Sequence, residues 1–253
     1  CSPWEKMKQW RWYSFIGMQK RVSRSLARII TVSKSAKEDI SRDFNIPMEK
    51  FSIVPNGIDT KRFYPIADIE REKNRVIVTN SADTPLKGLF FLFQAVAELA
   101  KIQDIHVTVV GEPKKDGDIV NLVRKLGIGQ RINFTGRIDG QEFVRQYARA
   151  TMAVIPSVYE GFGLPVGEAM ACGVPVISTT GGALPEVVGD AGVLVPAADS
   201  AALAGAIHEL LGNPKKAKKL GLAGYRRVQE HFTWKRAAEK TVAAYRKVLD
   251  DHR

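Results

Sequence analysis

The stretch EGFGLPVGEAMACGVPVIS at residues 160–178 decides the fold that the sequence predicts. It follows an apolar run at residues 152–155, which is typical of a buried strand. Pro165 suits the first turn of a helix, because a helix needs no N–H group at that position. Gly161 and Gly163 can adopt backbone angles closed to other residues, so their turn can aim several N–H groups at one point. The stretch therefore predicts a strand, a glycine turn and a helix whose amino end binds an anion.

Two carboxylates, Glu160 and Glu168, lie on either side of this predicted anion site. The arrangement suits a ligand with phosphate groups in the middle and hydroxyl groups at both ends, and a nucleotide sugar has that shape. The alternative is that both glutamates are simply solvated beside a turn. For two glutamates at this spacing with no other motif around them, that interpretation is the better one. Here the glycines, the proline and the apolar helix occur together, and this combination favours the ligand site.

The composition is that of an ordinary soluble globular protein, with 253 residues, 45% hydrophobic and 26% charged. That length holds one large domain or two small ones. No run of about 18 apolar residues is present, and no segment has the form of a signal peptide. Cys1 and Cys172 provide no disulfide framework, so we expect a reducing, cytoplasmic location. Cys172 is interpreted as a small core residue, and the four histidines are scattered without a metal-ligand spacing, so no metal site is expected.

The net charge of +11 is concentrated in residues 1–28, where Trp4, Trp10 and Trp12 also lie. A basic, aromatic helix of this kind can lie on anionic lipid, which would place the protein peripherally on the inner face of a membrane. The alternative, which we favour, is that the helix packs its aromatic side chains on a neighbouring domain. A nucleic-acid partner is not expected, because no binding motif accompanies the charge.

Short apolar segments alternate with helical segments along most of the chain. Strands are predicted near residues 28–33, 51–54, 75–80, 105–110, 131–134, 152–156, 174–178 and 193–195. Helices are predicted near residues 34–44, 87–101, 117–126, 140–148, 165–172 and 199–211, and from 214 to the end with a break near 232–234. We expect Ser33 or Ser35 to cap the first of these helices, and Thr233 the last. The alternation predicts an α/β fold, with a Rossmann-like parallel sheet sandwiched by helices.

The 160–178 stretch resembles the donor-site motif of the retaining glycosyltransferases of family 4, the group 1 glycosyl transferases. The resemblance implies that Glu160 faces the hydroxyl groups of the donor sugar and that Glu168 binds the ribose of the nucleotide. It also implies that backbone amides bind the donor diphosphate; these belong to Gly161, Phe162, Gly163 and Leu164.

Lys87 and Gly88 match the Lys-Gly pair of that family, whose lysine also binds the diphosphate. We expect Lys87 to open a helix after the strand near 75–80. A positive charge at the amino end of a helix is unfavourable, so its presence there favours a functional role for Lys87 over a structural one. The chain departs from the family pattern because no Gly-Arg pair precedes the lysine. Either another cation such as Arg137 supplies the missing charge, or Ser81 and backbone donors replace it.

Two further loops resemble parts of the family's donor site. The loop that contains Arg137 and Ile138 follows the strand near 131–134, and the resemblance implies that the nucleobase lies against it. Arg137 is equally well explained as a simple surface arginine. Gly111 resembles the family's glycine turn after the second strand of the domain. The pair Gly181-Gly182 is interpreted only as a tight turn at the same edge.

The resemblance implies a GT-B architecture, in which two Rossmann-like domains enclose the active site. Residues 1–60 resemble a remnant of the N-terminal, acceptor-side domain with its linker, and residues 61–232 resemble the nucleotide-sugar-binding domain. Residues 233–253 resemble a helix that crosses back to the N-terminal domain. We therefore expect the chain to be a fragment that lacks turnover on its own.

The expected activity is transfer of a sugar from a nucleoside diphosphate to a hydroxyl group, with retention of anomeric configuration. Glu160 and Lys87 are the expected catalytic residues. No cofactor is expected besides the nucleotide-sugar substrate, and the acceptor is an unknown carbohydrate or lipid-linked molecule. A nucleotide-binding module without catalysis is the alternative. A dinucleotide oxidoreductase is disfavoured, because no G-x-G-x-x-G sequence opens a helix after a strand.

Overall fold

The computed structural model describes residues 3–79, 84–115 and 117–251, with side chains from Ser14 onward. The chain forms two compact units. One consists of Cys1–Pro55 together with Ala238–Arg253, and the other of Asn56–Ala237. Ser81 lies outside the described residues, as do the side chains of Trp4, Trp10 and Trp12. The assignment of residues 1–60 to an acceptor-side domain stays a prediction.

Strands and helices alternate as the sequence predicts, and their bounds are as follows. The strands are β1 (Ile29–Thr31), β2 (Phe51–Ile53), β3 (Arg75–Thr79), β4 (His106–Val110), β5 (Ile132–Phe134), β6 (Met152–Ile155), β7 (Val176–Thr179) and β8 (Val193–Val195). The helices are α1 (Pro3–Ser25), α2 (Lys34–Phe44), α3 (Leu89–Leu99), α4 (Asp118–Lys125), α5 (Gly140–Arg149), α6 (Leu164–Ala171), α7 (Leu184–Val188), α8 (Ser200–Gly212), α9 (Pro214–His231) and α10 (Trp234–Asp250).

The larger unit contains a six-stranded sheet in the order β5-β4-β3-β6-β7-β8. Every neighbouring pair is parallel. Because successive side chains of a strand point to opposite faces, the continuous apolar run of β3 buries both faces. Val76 and Val78 join a core cluster with Leu92 and Phe93 of α3, and Ile77 between them is fully buried as well. The predicted α/β fold class is confirmed.

The order of the strands reverses direction between β3 and β6. Beyond β3 the chain continues to β4 and β5 on one side, and beyond β6 it continues to β7 and β8 on the other. Open α/β sheets bind ligands in the crevice outside the carboxyl ends of their strands, at such a switch point. The turns that follow β3 and β6 flank this crevice.

Side-chain caps lie at the start of α2, α8 and α10, and the caps at Ser33 and Thr233 confirm predictions made from the sequence. Ser33 accepts a hydrogen bond from the amide of Ala36 at the start of α2, and Asp199 caps α8 in the same way. The amide of Arg236 donates to the hydroxyl of Thr233, 3.2 Å away, at the start of α10. Helix α7 was not predicted, because its five residues are too few for a visible helical period.

The smaller unit contains the parallel pair β1–β2 and the helices α1 and α2. Phe15, Met18 and Val22 of α1 are exposed. A contact of residues 1–28 with lipid stays a prediction. Among the described residues, no helix is both long and apolar enough to cross a membrane.

Candidate functional site

An ion pair joins the two turns that flank the crevice. Lys87 follows β3 and Glu160 follows β6, and the distance from Lys87 Nζ to Glu160 Oε1 is 2.7 Å. The hydroxyl of Ser157 donates to the same carboxylate oxygen at 2.9 Å. The side chains of Lys87 and Glu160 are 27% and 14% exposed, so solvent, and hence a ligand, still reaches both groups.

The backbone holds these two turns against each other. Gly88 has a φ of 70°, and a Cβ atom there would lie 1.9 Å from the carbonyl oxygen of Pro156. The amide of Val158 donates to the carbonyl of Leu86 at 2.8 Å. Only glycine combines this close approach with a left-handed conformation at low cost. Lys87 and Glu160 are therefore brought together by the packing of their own turns.

The prediction that Lys87 opens a helix is wrong by two residues. Lys87 ends a short 3-10 helix, Pro85–Lys87, and α3 begins only at Leu89 after the left-handed Gly88. The argument from the helix dipole does not apply at this position. The charge of Lys87 is instead paired with the carboxylate of Glu160.

The glycine turn before α6 has the predicted form. Gly163 has a φ of 97°, and a Cβ atom there would lie 2.7 Å from Leu184. Within the described part of the chain, the amides of Gly163 and Leu164 have no acceptor. Both amides lie at the amino end of α6, where the partial positive charge of a helix favours an anion. The ring of Phe162 is buried against Phe232, so only the backbone of this residue is accessible to a ligand.

The pair Gly181-Gly182 does more than form the tight turn that was predicted. A Cβ atom on Gly182 would lie 2.3 Å from the carbonyl oxygen of Glu160, and one on Gly181 would lie 2.3 Å from that of Val158. The amide of Ala183 donates to the carbonyl of Glu160 at 2.8 Å. The loop after β7 thus supports the turn that carries Glu160.

Glu168 is partly buried in the second turn of α6. Burial raises the pKa of this carboxyl above the ordinary 4.5, and the charge of Arg62 opposes the rise. Among the described residues, the carboxylate makes no hydrogen bond or ion pair. An acceptor that is partly desolvated and without a donor is suited to a hydroxyl group of a ligand.

The loops that follow β4 and β5 meet at the same edge. Gly111 and Gly136 form an isolated bridge, and the hydroxyl of Thr135 donates to the carbonyl of Gly136 at 3.0 Å. Arg137 is exposed and has no partner among the described residues, and Ile138 is partly buried. Both explanations of Arg137 therefore remain open.

All the described residues that the sequence analysis selected lie beyond the carboxyl ends of the strands. Lys87, Gly111, Arg137 and Glu160 follow β3, β4, β5 and β6 in turn, and Glu168 lies in the helix after β6. The structure brings Lys87 and Glu160 into direct contact; the ligand roles of all these residues stay predictions. Cys172 is buried, which raises the pKa of its thiol to about 12 and makes it a poor nucleophile. Within the described residues, no group of three potential metal ligands occurs.

Sequence reasoning did not select Ser157, although its hydroxyl contacts Glu160. A serine three residues before a glutamate gives a weak signal, because serine is common wherever a strand ends. The contact follows from the turn that folds Glu160 back onto the end of β6.

A second polar cluster lies at the opposite, amino edge of the sheet. Arg75 is 7% exposed. Its guanidinium donates to Thr108 at 2.9 Å, to Glu72 at 2.7 Å and to Gln146. A cavity of about 430 Å³ opens beside it, lined in part by Lys73, Arg75, His106, Arg131 and Arg149.

Models of two families match this chain. "Glycosyl transferases group 1" matches residues 62–227, and "Glycosyltransferase Family 4" matches residues 2–62. Among curated proteins, the chain is 41% identical to an MMP alpha-(1->4)-mannosyltransferase of Mycolicibacterium hassiacum, over 97% of the chain and 60% of the relative. It is 30% identical to a glycogen synthase of Mycobacterium tuberculosis, over 86% of the chain and 53% of the relative. The chain therefore spans less than two thirds of the length of these relatives.

Two solved structures share the fold of this chain. The sucrose-phosphate synthase of Thermosynechococcus elongatus superposes with a TM-score of 0.80 at 31% identity, covering 92% of this chain and 61% of that one. HepE of Anabaena, solved in complex with UDP, superposes with a TM-score of 0.78 at 20% identity, covering 92% of this chain and 68% of that one. The resemblance inferred from the donor-site motif is thus confirmed.

Proposed function

Since this chain belongs to the family of group 1 glycosyl transferases, we propose that it supplies the donor-binding side of a retaining glycosyltransferase. The enzyme would transfer a sugar from a nucleoside diphosphate to a hydroxyl group of a carbohydrate or lipid-linked acceptor. The observation that carries this proposal is the Lys87–Glu160 pair at the switch point of the sheet. The amides of Gly163 and Leu164, which have no acceptor among the described residues, follow Glu160 in the same turn.

Lys87 and the amino end of α6 together suit a diphosphate. An ammonium group has three N–H donors, and Glu160 accepts one of them. The remaining donors can bind phosphate oxygens, together with the amides of Gly163 and Leu164. Fixed positive charge at this position would stabilise the nucleoside diphosphate as it leaves the sugar.

The two glutamates suit the two ends of such a donor. Glu160 Oε1 already accepts from Lys87 and Ser157, and Oε2 remains for the hydroxyl groups of the sugar. Glu168, whose carboxylate has no donor among the described residues, would accept from the ribose. The proposed reaction needs no side-chain nucleophile, because the acceptor hydroxyl would attack the sugar from the same face that the phosphate leaves. As the sugar–phosphate bond breaks, the leaving phosphate would take the proton of that hydroxyl.

The relatives suggest which donors to test first. The relative at 41% identity is a mannosyltransferase, and a second one, at 31% identity, is described as GDP-mannose-dependent. We therefore propose GDP-mannose as the first donor, and UDP-glucose as the second because HepE was also solved in complex with UDP-glucose. A nucleotide-binding module without catalysis is the alternative, and it predicts binding of the nucleotide with no transfer in the presence of any acceptor.

The proposal is tested by calorimetric titration of GDP and UDP into the chain and into a Lys87→Met variant. The Lys87 variant loses a charge-assisted hydrogen bond that contributes about 1.5–3 kcal/mol, so its affinity for the nucleotide should fall about tenfold to a hundredfold. Lys101→Met is the matched control, because Lys101 also pairs with a glutamate, Glu98, but at an exposed surface position. Equal affinity in the Lys87 variant, or no binding of either nucleotide to the parent, would contradict the proposal.

A further inference from the structure

We propose that Ser157 is a positioning residue that holds Glu160 in the orientation needed by the donor sugar, an inference that rests on the proposed function. Ser157 is 2% exposed, and its hydroxyl donates to Glu160 Oε1 at 2.9 Å. Lys87 donates to the same oxygen at 2.7 Å. Both donors contact one oxygen, and among the described residues Oε2 has no donor, so it can accept from a ligand.

The backbone of Ser157 is itself fixed from the neighbouring strand. The hydroxyl of Thr179, at the end of β7, donates to the carbonyl of Ser157 at 2.5 Å. The amide of Gly181 in turn donates to the hydroxyl of Thr179 at 3.1 Å. Thr179 is fully buried. The hydroxyl that reaches Glu160 therefore comes from a segment that β7 holds, in addition to the backbone contacts of that segment with the Lys87 turn.

Lys87 is a less reliable anchor for Glu160 than Ser157 is. Its ammonium lies at the end of a flexible four-carbon stem, and its side chain is 27% exposed. A bound diphosphate would also attract that ammonium, whereas the neutral, buried Ser157 has no such competitor. The Ser157 hydrogen bond thus keeps Glu160 in place while Lys87 turns to the phosphates. Without it, the carboxylate is free to rotate away from the sugar.

This role predicts that loss of Ser157 affects recognition of the sugar and leaves recognition of the nucleotide intact. The experiment titrates the Ser157→Ala variant with GDP and GDP-mannose, or with UDP and UDP-glucose if the parent prefers them. We expect affinity for the nucleoside diphosphate to stay within about twofold of the parent. The ratio of donor affinity to nucleoside diphosphate affinity should fall about fivefold, as for loss of one side-chain hydrogen bond.

Ser178→Ala is the matched control. Ser178 is also buried at the end of its strand, but its hydroxyl donates to the carbonyl of Ile155 at 3.1 Å. This variant should keep the affinity ratio of the parent. If Ser157→Ala does not fold, Ser157→Cys replaces it, and its weaker S–H donor should give a smaller fall of the ratio.

The inference is overturned if the Ser157 variant keeps the affinity ratio of the parent, or if it loses nucleotide and donor affinity equally. Failure of the parent to bind any nucleoside diphosphate would overturn the proposed function instead. In that case, a crystal structure of Ser157→Ala decides the positioning role. A Glu160 carboxylate that stays beside Lys87 in its original orientation contradicts the role, and one that has rotated supports it.

Discussion

Strand β3 begins and ends at two different kinds of cation site. At its amino end, Arg75 is almost completely buried, and its guanidinium donates to Thr108, Glu72 and Gln146. Beyond its carboxyl end, Lys87 pairs with Glu160 and stays partly exposed. Both sites join a cation to a carboxylate, but every guanidinium nitrogen of Arg75 already donates within the protein, whereas the Lys87 ammonium has one acceptor among the described residues.

This difference separates a structural cluster from a binding site. Each guanidinium nitrogen of Arg75 already donates to a protein acceptor, and the residue is 7% exposed, so little of it is accessible to a ligand. Around Lys87, by contrast, Glu160 Oε2 and the amides of Gly163 and Leu164 are available. Buried polar groups that are satisfied by one another stabilise the fold, and those left open at a sheet edge suit a ligand.

The largest expected effect is on stability, at the cluster of Arg75, Glu72, Thr108 and Gln146, which we call the closed cluster. Arg75→Met keeps the stem of the side chain but removes its donors, which leaves Thr108 and Gln146 without their partner. Glu72 is 55% exposed and can be hydrated, so the expected loss is about 2–4 kcal/mol in the free energy of unfolding. Urea denaturation measures this loss, and nucleotide affinity should not change.

Arg124→Met is the matched control for that variant. Arg124 is exposed and donates to Asn121 one helical turn away, so its removal should leave the urea midpoint unchanged. If Arg75→Met were as stable as the control but lost nucleotide affinity, the assignment of the two edges would be reversed.

A smaller effect of opposite sign is expected at Glu168. Burial raises the pKa of this carboxyl in the folded protein above the ordinary 4.5, so folding disfavours the ionised form. The ionised carboxylate therefore lowers the free energy of unfolding. This loss begins as the pH rises through 4.5 and is complete above the pKa of the carboxyl in the folded protein. Glu168→Gln removes the charge and should raise the free energy of unfolding at pH 7 by about 0.5–2 kcal/mol.

The same variant should lose affinity for the nucleotide, because an amide is a weaker acceptor for a ribose hydroxyl than a carboxylate is. Urea denaturation at pH 7 and pH 4 checks the first effect, and the difference from the parent should shrink at pH 4. A variant less stable than the parent at pH 7 would show that Glu168 supports the fold.

The sequence predicted the carboxyl-edge site because its signals are local. The glycine turn of Gly161 and Gly163 and the alternation of strands with helices are each visible in a short window. Once the strands are known to be parallel, Lys87 and Glu160 must lie at one edge. The direct contact between the two residues could not be predicted from the sequence, because it depends on how Gly88 packs on Pro156.

The closed cluster and the start of α3 show where such reasoning fails. Arg75 appeared only as the start of a strand, because its partners Thr108 and Gln146 come from distant segments. Lys87 was expected at the start of a helix, since nothing local reveals that Gly88 must be left-handed to clear Pro156. Ser157 was missed for the same reason. Its role depends on Glu160 and Thr179, which only the folded chain brings to it.

The most direct test of the difference between the two edges is a crystal structure of the chain soaked with GDP or UDP. Both edges offer cations to a phosphate, so the position of the ligand decides between them. We predict the diphosphate within about 3.2 Å of Lys87 Nζ and of the amides of Gly163 and Leu164. A diphosphate bound instead in the amino-edge cavity, beside Arg131 and Arg149, would contradict the account.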